Sequence, residues 1–185
     1  MRYRGLEGGQ YRPLSNEQII TLHQASLQIL EKTGITYESG LDGVVEMLAE
    51  NGAVVDRESQ RIILAREMVE NLVARAPSEV LLCGQDARHD LHLGGNRVYL
   101  GTGGAAIRIL DPDTGGVRST MLQDLYNVSR LVDQLDNIHF LVRPCIPTDL
   151  DEAEYDVNMF FACLSSSAKH VMSGVNDEKG LKNVI

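Results

Sequence analysis

The order of patterns between Thr120 and Asp149 narrows the fold more than any other part of the chain. Leu122, Leu125, Val128, Val132 and Leu135 recur at three- and four-residue steps, with Gln123, Asn127, Arg130 and Gln134 on the other side, so the segment predicts an amphipathic helix. Thr120 is placed to cap it, with Gln123 as its capping-box partner. Ile138 to Val142 follows, apolar except for His139 and too short for a helix, as expected of a strand covered on both faces. Helix, short link, buried strand and the polar loop Arg143 to Asp149 together make one αβ half of a barrel or a doubly wound sheet. In such folds function sits just past the strand ends.

The flanking segments divide the chain into four parts. Residues 1–14 are Gly-rich and mixed in charge, and read as an arm that packs elsewhere or stays mobile. Residues 15–78 read as a helical cap with a hairpin. Ser15 opens a capping box with Gln18, and Ile19, Leu22, Ser26, Ile29 and Leu30 mark a helical face that stops at Gly34. Ser39 is the expected cap of a second helix through Val44, Val45, Met47 and Leu48 that ends at Gly52. AVVD and RIIL read as a hairpin, and Met68, Val69, Leu72, Val73 and Ala76 as a third helix closed by Pro77. Residues 79–118 hold short β-prone runs separated by glycines and predict an antiparallel meander. Residues 119–185 begin the alternating αβ series, continued by a helix with Ala153, Val157, Phe160, Phe161 and Leu164 on its apolar face. The strand HVMSGV and a helix capped by Asn176 or Asp177 follow.

Charge and cysteine usage exclude some classes of function. A formal net charge of -9 without a Lys/Arg cluster argues against nucleic-acid binding. The one dense charge run, Asp149, Asp151, Glu152, Glu154 and Asp156, reads as a solvated helix N-terminus. Cys83, Cys145 and Cys163 are odd in number and form no CxxC pair, which points to a reducing cytoplasm. No apolar run reaches the length of a membrane span, and the first residues hold no apolar signal-like run.

Among chemistry-bearing residues, His23 reads as a packing residue, since no second ligand stands at i+4. His89 and His92 would point to opposite faces of a strand and share no metal. The run GTGGA at 101–105 lacks the Lys and Ser/Thr of a P-loop and reads as a close backbone approach or a bulge. Arg143, Cys145 and Asp149 lie past the first buried strand, and His170, Ser173 and Gly174 lie within or past the next, where side chains would face a barrel mouth. The alternative is that Arg143 pairs with a local carboxylate and Asp149 caps the following helix.

Taken in order, LSNEQIITLHQASLQILEKTGI, NGAVVD, ARAPSEVLLCG, LHLGGNRVYLGTGG, LDPDTGGVRSTMLQDLYNVSRLVDQLDNI and PCIPTD resemble the amino-terminal part of the trimethylamine and glycine betaine methyltransferase family. The resemblance implies an α/β chain in which the lead-in of helices and β-meander is followed by the first βα units of a TIM (β/α)8 barrel. That barrel needs about 250 residues and would be incomplete here. It implies transfer of a methyl group from a tertiary or quaternary methylamine to the cobalt of a corrinoid carried by a partner protein, with no metal held by this chain. Thr102 and Gly103 would then approach that large flat cofactor. Tyr99 would offer an aromatic face to an ammonium, Asp149 a countercharge, and Arg143 and His170 would complete the polar mouth. A chain ending this early would leave edges uncovered, so marginal stability, inactivity alone or homo-oligomerisation is expected. The other reading is a non-catalytic interaction module derived from the same family.

Overall fold

The apolar run at 138–142 becomes the centre of a parallel array in the computed structural model, which describes residues 5–185. Two compact units are present: Gln10–Ser78, and Glu79–Ile185 together with the strand β1 (Leu6–Glu7). Residues 1–4 of the expected arm lie outside the described residues.

The unit 10–78 is built from local contacts. Helix α1 (Asn16–Gln28) starts in the anticipated capping box, in which Gln18 N–H donates to Ser15 Oγ at 3.2 Å and Gln18 Oε1 accepts from Ser15 N–H at 2.8 Å. Its last turn, Ile29–Thr33, is wound as a π-helix and stops at Gly34, which has φ +70°. A Cβ there would stand 2.3 Å from the Ile62 carbonyl oxygen, so only glycine fits. The strand β2 (Ile35–Thr36) precedes helix α2 (Asp42–Glu50), whose N-cap is Leu41 rather than Ser39. Ser39 lies too far upstream and instead accepts from Gln60 Nε2 at 3.3 Å. The expected hairpin forms from β3 (Val54–Asp56) and β4 (Arg61–Ile63), with Asp56 opposite Arg61. Asp56 makes the turn workable by accepting from the Glu58 and Ser59 amides. Strand β2 joins the other edge of β4, helix α3 (Arg66–Arg75) follows, and Val45, Ala53 and Ile62 form the small core.

Beyond Glu79 the β-prone runs are present but do not make one meander. β5 (Val80–Leu82) pairs with β6 (Leu91–Leu93), β7 (Arg97–Val98) pairs with β1, and β8 (Arg108–Leu110) pairs with β9 (Val117–Ser119), each as a separate antiparallel ladder. The chain between β7 and β8 runs parallel to β10 (Phe140–Val142), with bridges Gly101↔Phe140 and Ala106↔Cys145 in one register. On the other edge of β10 lies β11 (His170–Met172), also parallel, with Leu141 opposite Val171. Helix α4 (Leu122–Asp133) links the first segment to β10, and helix α5 (Tyr155–Ser166) links β10 to β11. The result is a mixed α/β unit with small sheets and no closed barrel among the described residues.

Leu125 and Val132 of α4, Leu141 and Cys145, and Met159, Ala162 and Cys163 of α5 form the main core. Burying each of the larger apolar chains contributes about 1.5–3 kcal/mol. The alternation along a strand puts Leu141 and Val171 toward the helices and leaves Phe140, Val142, His170 and Met172 on the opposite face. The α5 stripe expected from the sequence is rotated: Val157 and Phe161 are exposed, 41% and 61%, while Ala162 and Cys163 are buried. This helix is apolar nearly all round, so periodicity alone does not select a face, and the small residues allow α4 to approach closely.

The start of α4 also differs from expectation. Met121 is the N-cap residue, and Asp124 Oδ2 accepts from its N–H at 2.8 Å. Thr120 is fully buried, and its hydroxyl donates to the Ile146 carbonyl. Gln123 donates to Asn127 Oδ1 instead of closing a box.

At the other end of α4 sits Lys169, 1% exposed. Its Nζ donates to the carbonyls of Val132, Leu135 and Ile138 at 2.6, 2.7 and 2.7 Å. A cation at the negative end of the helix dipole is favourable, and three acceptors offset its desolvation. Burial nevertheless pushes the ammonium below its ordinary value of 10.5. Asp133 adds to the same junction, accepting from Ala168 N–H at 2.8 Å and from the Ser167 hydroxyl at 3.1 Å. Lys169→Met keeps the apolar stem and removes the charge and its three bonds. It should cost about 2–3 kcal/mol, read as a lower urea midpoint with unchanged far-UV dichroism at 20 °C.

Candidate functional site

Three parallel segments send their C-terminal ends to one side of the sheet: Gly103 to Ile107, Arg143 to Asp149, and Ser173 to Asp177. Their connection is unusual. Gly101 lies against the Phe140 ring, where a Cβ would stand 2.3 Å from a ring carbon. Between the two bridges the backbone ladder is interrupted, and Thr102 replaces it with its side chain. Its Oγ1 accepts from Val142 N–H at 2.9 Å and donates to the Val142 carbonyl. Ladder pairing resumes where Ala105 N–H donates to the Arg143 carbonyl at 3.2 Å. Ala105 has φ +66°, uncommon for a residue with a side chain. GTGGA is thus a close backbone approach in a parallel segment, and the register of its bridges shows no inserted residue.

The β8–β9 hairpin rises from this end and is clamped by Arg118. Its Nη1 and Nη2 donate to the two oxygens of Asp124 at 2.7 and 2.8 Å, and its Nε donates to Asp111 at 2.7 Å. The fork geometry suits guanidinium and not ammonium. Arg118 holds both carboxyls below the usual range. Thr120 extends the clamp: its carbonyl accepts from Thr148 N–H at 2.9 Å and from the Thr148 hydroxyl at 3.0 Å.

The sequence-selected residues separate into two groups. Thr102, Gly103, Arg143 and Asp149 lie toward the C-terminal ends. A Cβ on Gly103 would meet nothing within 4 Å, so its backbone faces open space. Arg143 lies on the strand face shared by Leu141 and Cys145, and its guanidinium stands 5.8 Å from the centre of the Tyr155 ring. No ion pair of Arg143 with a carboxylate is present among the described residues. Asp149 accepts from Leu122 N–H at 2.9 Å, so it caps the helix before it in the chain and not the one after. Tyr99 and His170 lie at the N-terminal ends. Tyr99 donates to the His92 carbonyl at 3.3 Å and meets the His139 ring edge-on at 5.5 Å. His170 is the first residue of β11, with its Nδ1 2.8 Å from the Cys83 carbonyl oxygen. Strand rise alone sets His170 and Arg143 about 10 Å apart along the array.

A cleft of about 320 Å³ beyond the C-terminal ends of the strands is lined by Asp156, Asn176, Asp177, Lys179, Gly180 and Asn183, among others. Asp156 is buried; its Oδ2 accepts from Asn176 N–H at 3.0 Å, and its Oδ1 has no partner among the described residues. Burial pushes the Cys145 thiol up to about 11 and raises Cys163 as well, so neither is a thiolate near neutrality. Among the described residues no group of three or more His, Cys, Asp or Glu is disposed to hold a metal. No helix among them is long and apolar enough to cross a membrane.

The family model for trimethylamine methyltransferase (MTTB) matches residues 3–185. The chain belongs to this family. It is 31% identical over 180 residues to trimethylamine methyltransferase MttB of Desulfitobacterium hafniense (strain DSM 10664 / DCB-2), covering 97% of this chain and 36% of that protein. It is 27% identical over 171 residues to a glycine betaine methyltransferase of Desulfitobacterium hafniense (strain Y51), covering 92% of this chain and 35% of the relative. The trimethylamine methyltransferase MttB of Methanosarcina thermophila is 22% identical over 172 residues, covering 91% and 35%. The chain therefore spans about a third of the length of the curated relatives it matches.

Sequence reasoning did not single out Arg118, Asp124 or Lys169, placed Asp156 in a solvated charge run although it is buried, and noted His139 only as the polar break in its strand. The available signal was a charged residue in an apolar register: Asp124 beside Leu125, Asp156 beside Val157, and His139 inside the strand. His139 is 4% exposed, and its Nδ1 accepts from Leu100 N–H at 2.9 Å. An accepting Nδ1 carries no proton. Burial, reinforced by the Lys169 charge, holds the imidazole below its ordinary 6.5. The sign follows: the contribution is full above pH 6.5, the unfolded value, and declines as pH falls toward the lower folded value. His139→Asn supplies a non-titrating acceptor. It should flatten this part of the stability profile when urea midpoints are compared at about pH 7.5 and about pH 5.5.

Proposed function

We propose that the chain is the amino-terminal part of a methyltransferase that takes a methyl group from a tertiary or quaternary methylamine. The acceptor is the cobalt of a corrinoid carried by a partner protein. The observation that carries the reading is the parallel array 101–106, β10 and β11, gathered at one end inside a chain matched to the family over residues 3–185. In this reading the array is the opening βαβαβ of a TIM barrel, and its C-terminal side is the mouth.

An ammonium methyl is a poor electrophile, so the site must align it and exclude water. When bound, the corrinoid would supply a strongly nucleophilic cobalt. The bare backbone at Gly103 fits the approach of a large flat group at this end. Thr102 fixes the height of that backbone against β10, and Asp149 fixes the start of α4. The Arg118 fork holds the hairpin beside the mouth. Tyr99 and His170, at the opposite ends of the strands, would act on the floor of the barrel and not at its mouth.

The test is methylcobamide formation, followed by absorbance, when the full-length protein meets a reduced corrinoid protein and either trimethylamine or glycine betaine. One amine should support methylation. Thr102→Val should slow it about tenfold or more by displacing the Gly103 backbone, with the fold retained by circular dichroism. No methylation with any methylated amine, from folded protein and active cob(I)amide, would overturn the assignment in favour of an interaction module.

A further inference from the structure

The three segments that end on the C-terminal side are not held alike. Residues 103–107 are tied to the second segment by backbone bonds: Ala105 and Ala106 donate to the Arg143 and Pro144 carbonyls, and Ile146 donates back to Ala106 at 2.8 Å. Residues 143–149 are tied to Thr120 and Leu122 through Thr148 and Asp149. Residues 173–176 have a single hydrogen bond to another element among the described residues: Asn176 N–H donates to Asp156 Oδ2 at 3.0 Å.

Packing fixes that acceptor in place. Asp156 is 6% exposed and lies in the first turn of α5, where the helix dipole favours a carboxylate. Helix α6 (Glu178–Val184) closes on the same oxygen, because a Cβ on Gly180 would collide with Asp156 Oδ2. Gly180 N–H in turn donates to Asp177 Oδ1 at 2.7 Å, so one carboxylate sets the loop at Asn176 and again just past its far end. Asp156 Oδ1 has no partner among the described residues, so the hydrogen bonding of this side chain serves the loop alone.

We propose that Asp156 is a positioning residue for the methyl transfer: it sets where the loop 173–177 stands beside the mouth, and Gly180 is the residue that lets it do so. The inference rests on reading the C-terminal side of the array as that mouth. Displacing one wall of a site by about 1 Å can cost about a hundredfold in rate, so the role shows in kcat more than in KM. What the loop requires is an acceptor oxygen of this size and not a charge.

The test uses the full-length protein, with amide exchange of the 173–177 segment followed by mass spectrometry without substrate, and methylcobamide formation followed with trimethylamine or glycine betaine. Asp156→Ala should speed exchange about tenfold and lower kcat about tenfold or more, with KM changed less than about threefold and the fold retained by circular dichroism. Gly180→Ala, which acts on the loop from the other side, should do the same, and Asp156→Asn, which keeps the acceptor, should restore most of the wild-type values. Faster exchange with kcat unchanged would overturn the positioning role, and unchanged exchange in Asp156→Ala would overturn the tether. Equal loss in Asp156→Asn would overturn the proposal in favour of a role for the charge. A wild type that methylates neither amine would overturn the reading of the mouth and the positioning role with it, an outcome told apart because exchange is measured without turnover.

Discussion

The parallel unit depends on one buried cation. Without Lys169, the polar link between the C-terminal end of α4 and the start of β11 would rest on Asp133 alone. With it, one ammonium reaches three carbonyls from Val132 to Ile138, and the strand that follows is delivered to the open edge of β10. Asp133 repeats the link from the other direction by accepting from the loop that carries the lysine. The apolar core between α4, α5 and the sheet supplies most of the stabilisation. The charged junction sets how the pieces are aligned.

The opposite end of α4 uses the same kind of chemistry with the sign reversed. Asp124 and Asp149 sit at the positive end of the helix dipole and accept from the Met121 and Leu122 amides. Asp124 is also the acceptor of the Arg118 fork, so one carboxylate serves both the helix start and the hairpin. Thr120 and Thr102 do comparable work without charge, each using a hydroxyl where a backbone partner would otherwise be needed. The C-terminal side of the sheet is therefore defined by short polar side chains that bond to backbone. Its loops need little apolar packing of their own.

What the sequence revealed and what it concealed divide along the range of the interactions. The capping box at Ser15, the hairpin at Asp56 and Arg61, the stop at Gly34 and the cap at Asp177 depend on neighbours within a few residues, and all were legible. The alternating αβ pattern was legible because its periodicity is local too. Lys169 was not, because its acceptors lie more than thirty residues upstream and a lysine beside three serines reads as surface. GTGGA was read as a close approach or a bulge and is the former, yet its place beside β10 rests on Phe140 and Val142, which no local rule connects to it. On α5 the failure was different: apolar residues occur on every side, and the side that is buried holds Met159, Ala162 and Cys163, not Val157 and Phe161. For the candidate site, residue types were easier to nominate than strand ends, so Tyr99 and His170 were grouped with residues that lie at the far end of the array.

The short strand at Leu6–Glu7 has a consequence for the order of folding. Its partner, Arg97–Val98, follows the whole unit Gln10–Ser78 in the sequence. The two-residue ladder therefore closes a loop of about ninety residues, a loss of chain freedom that a few hydrogen bonds do not offset by themselves. During synthesis β1 is made first, yet its partner does not exist until the intervening unit has been completed. That unit, rich in local contacts, can fold meanwhile and shorten the effective loop. The first described strand is thus paired only after the unit that follows it has been made.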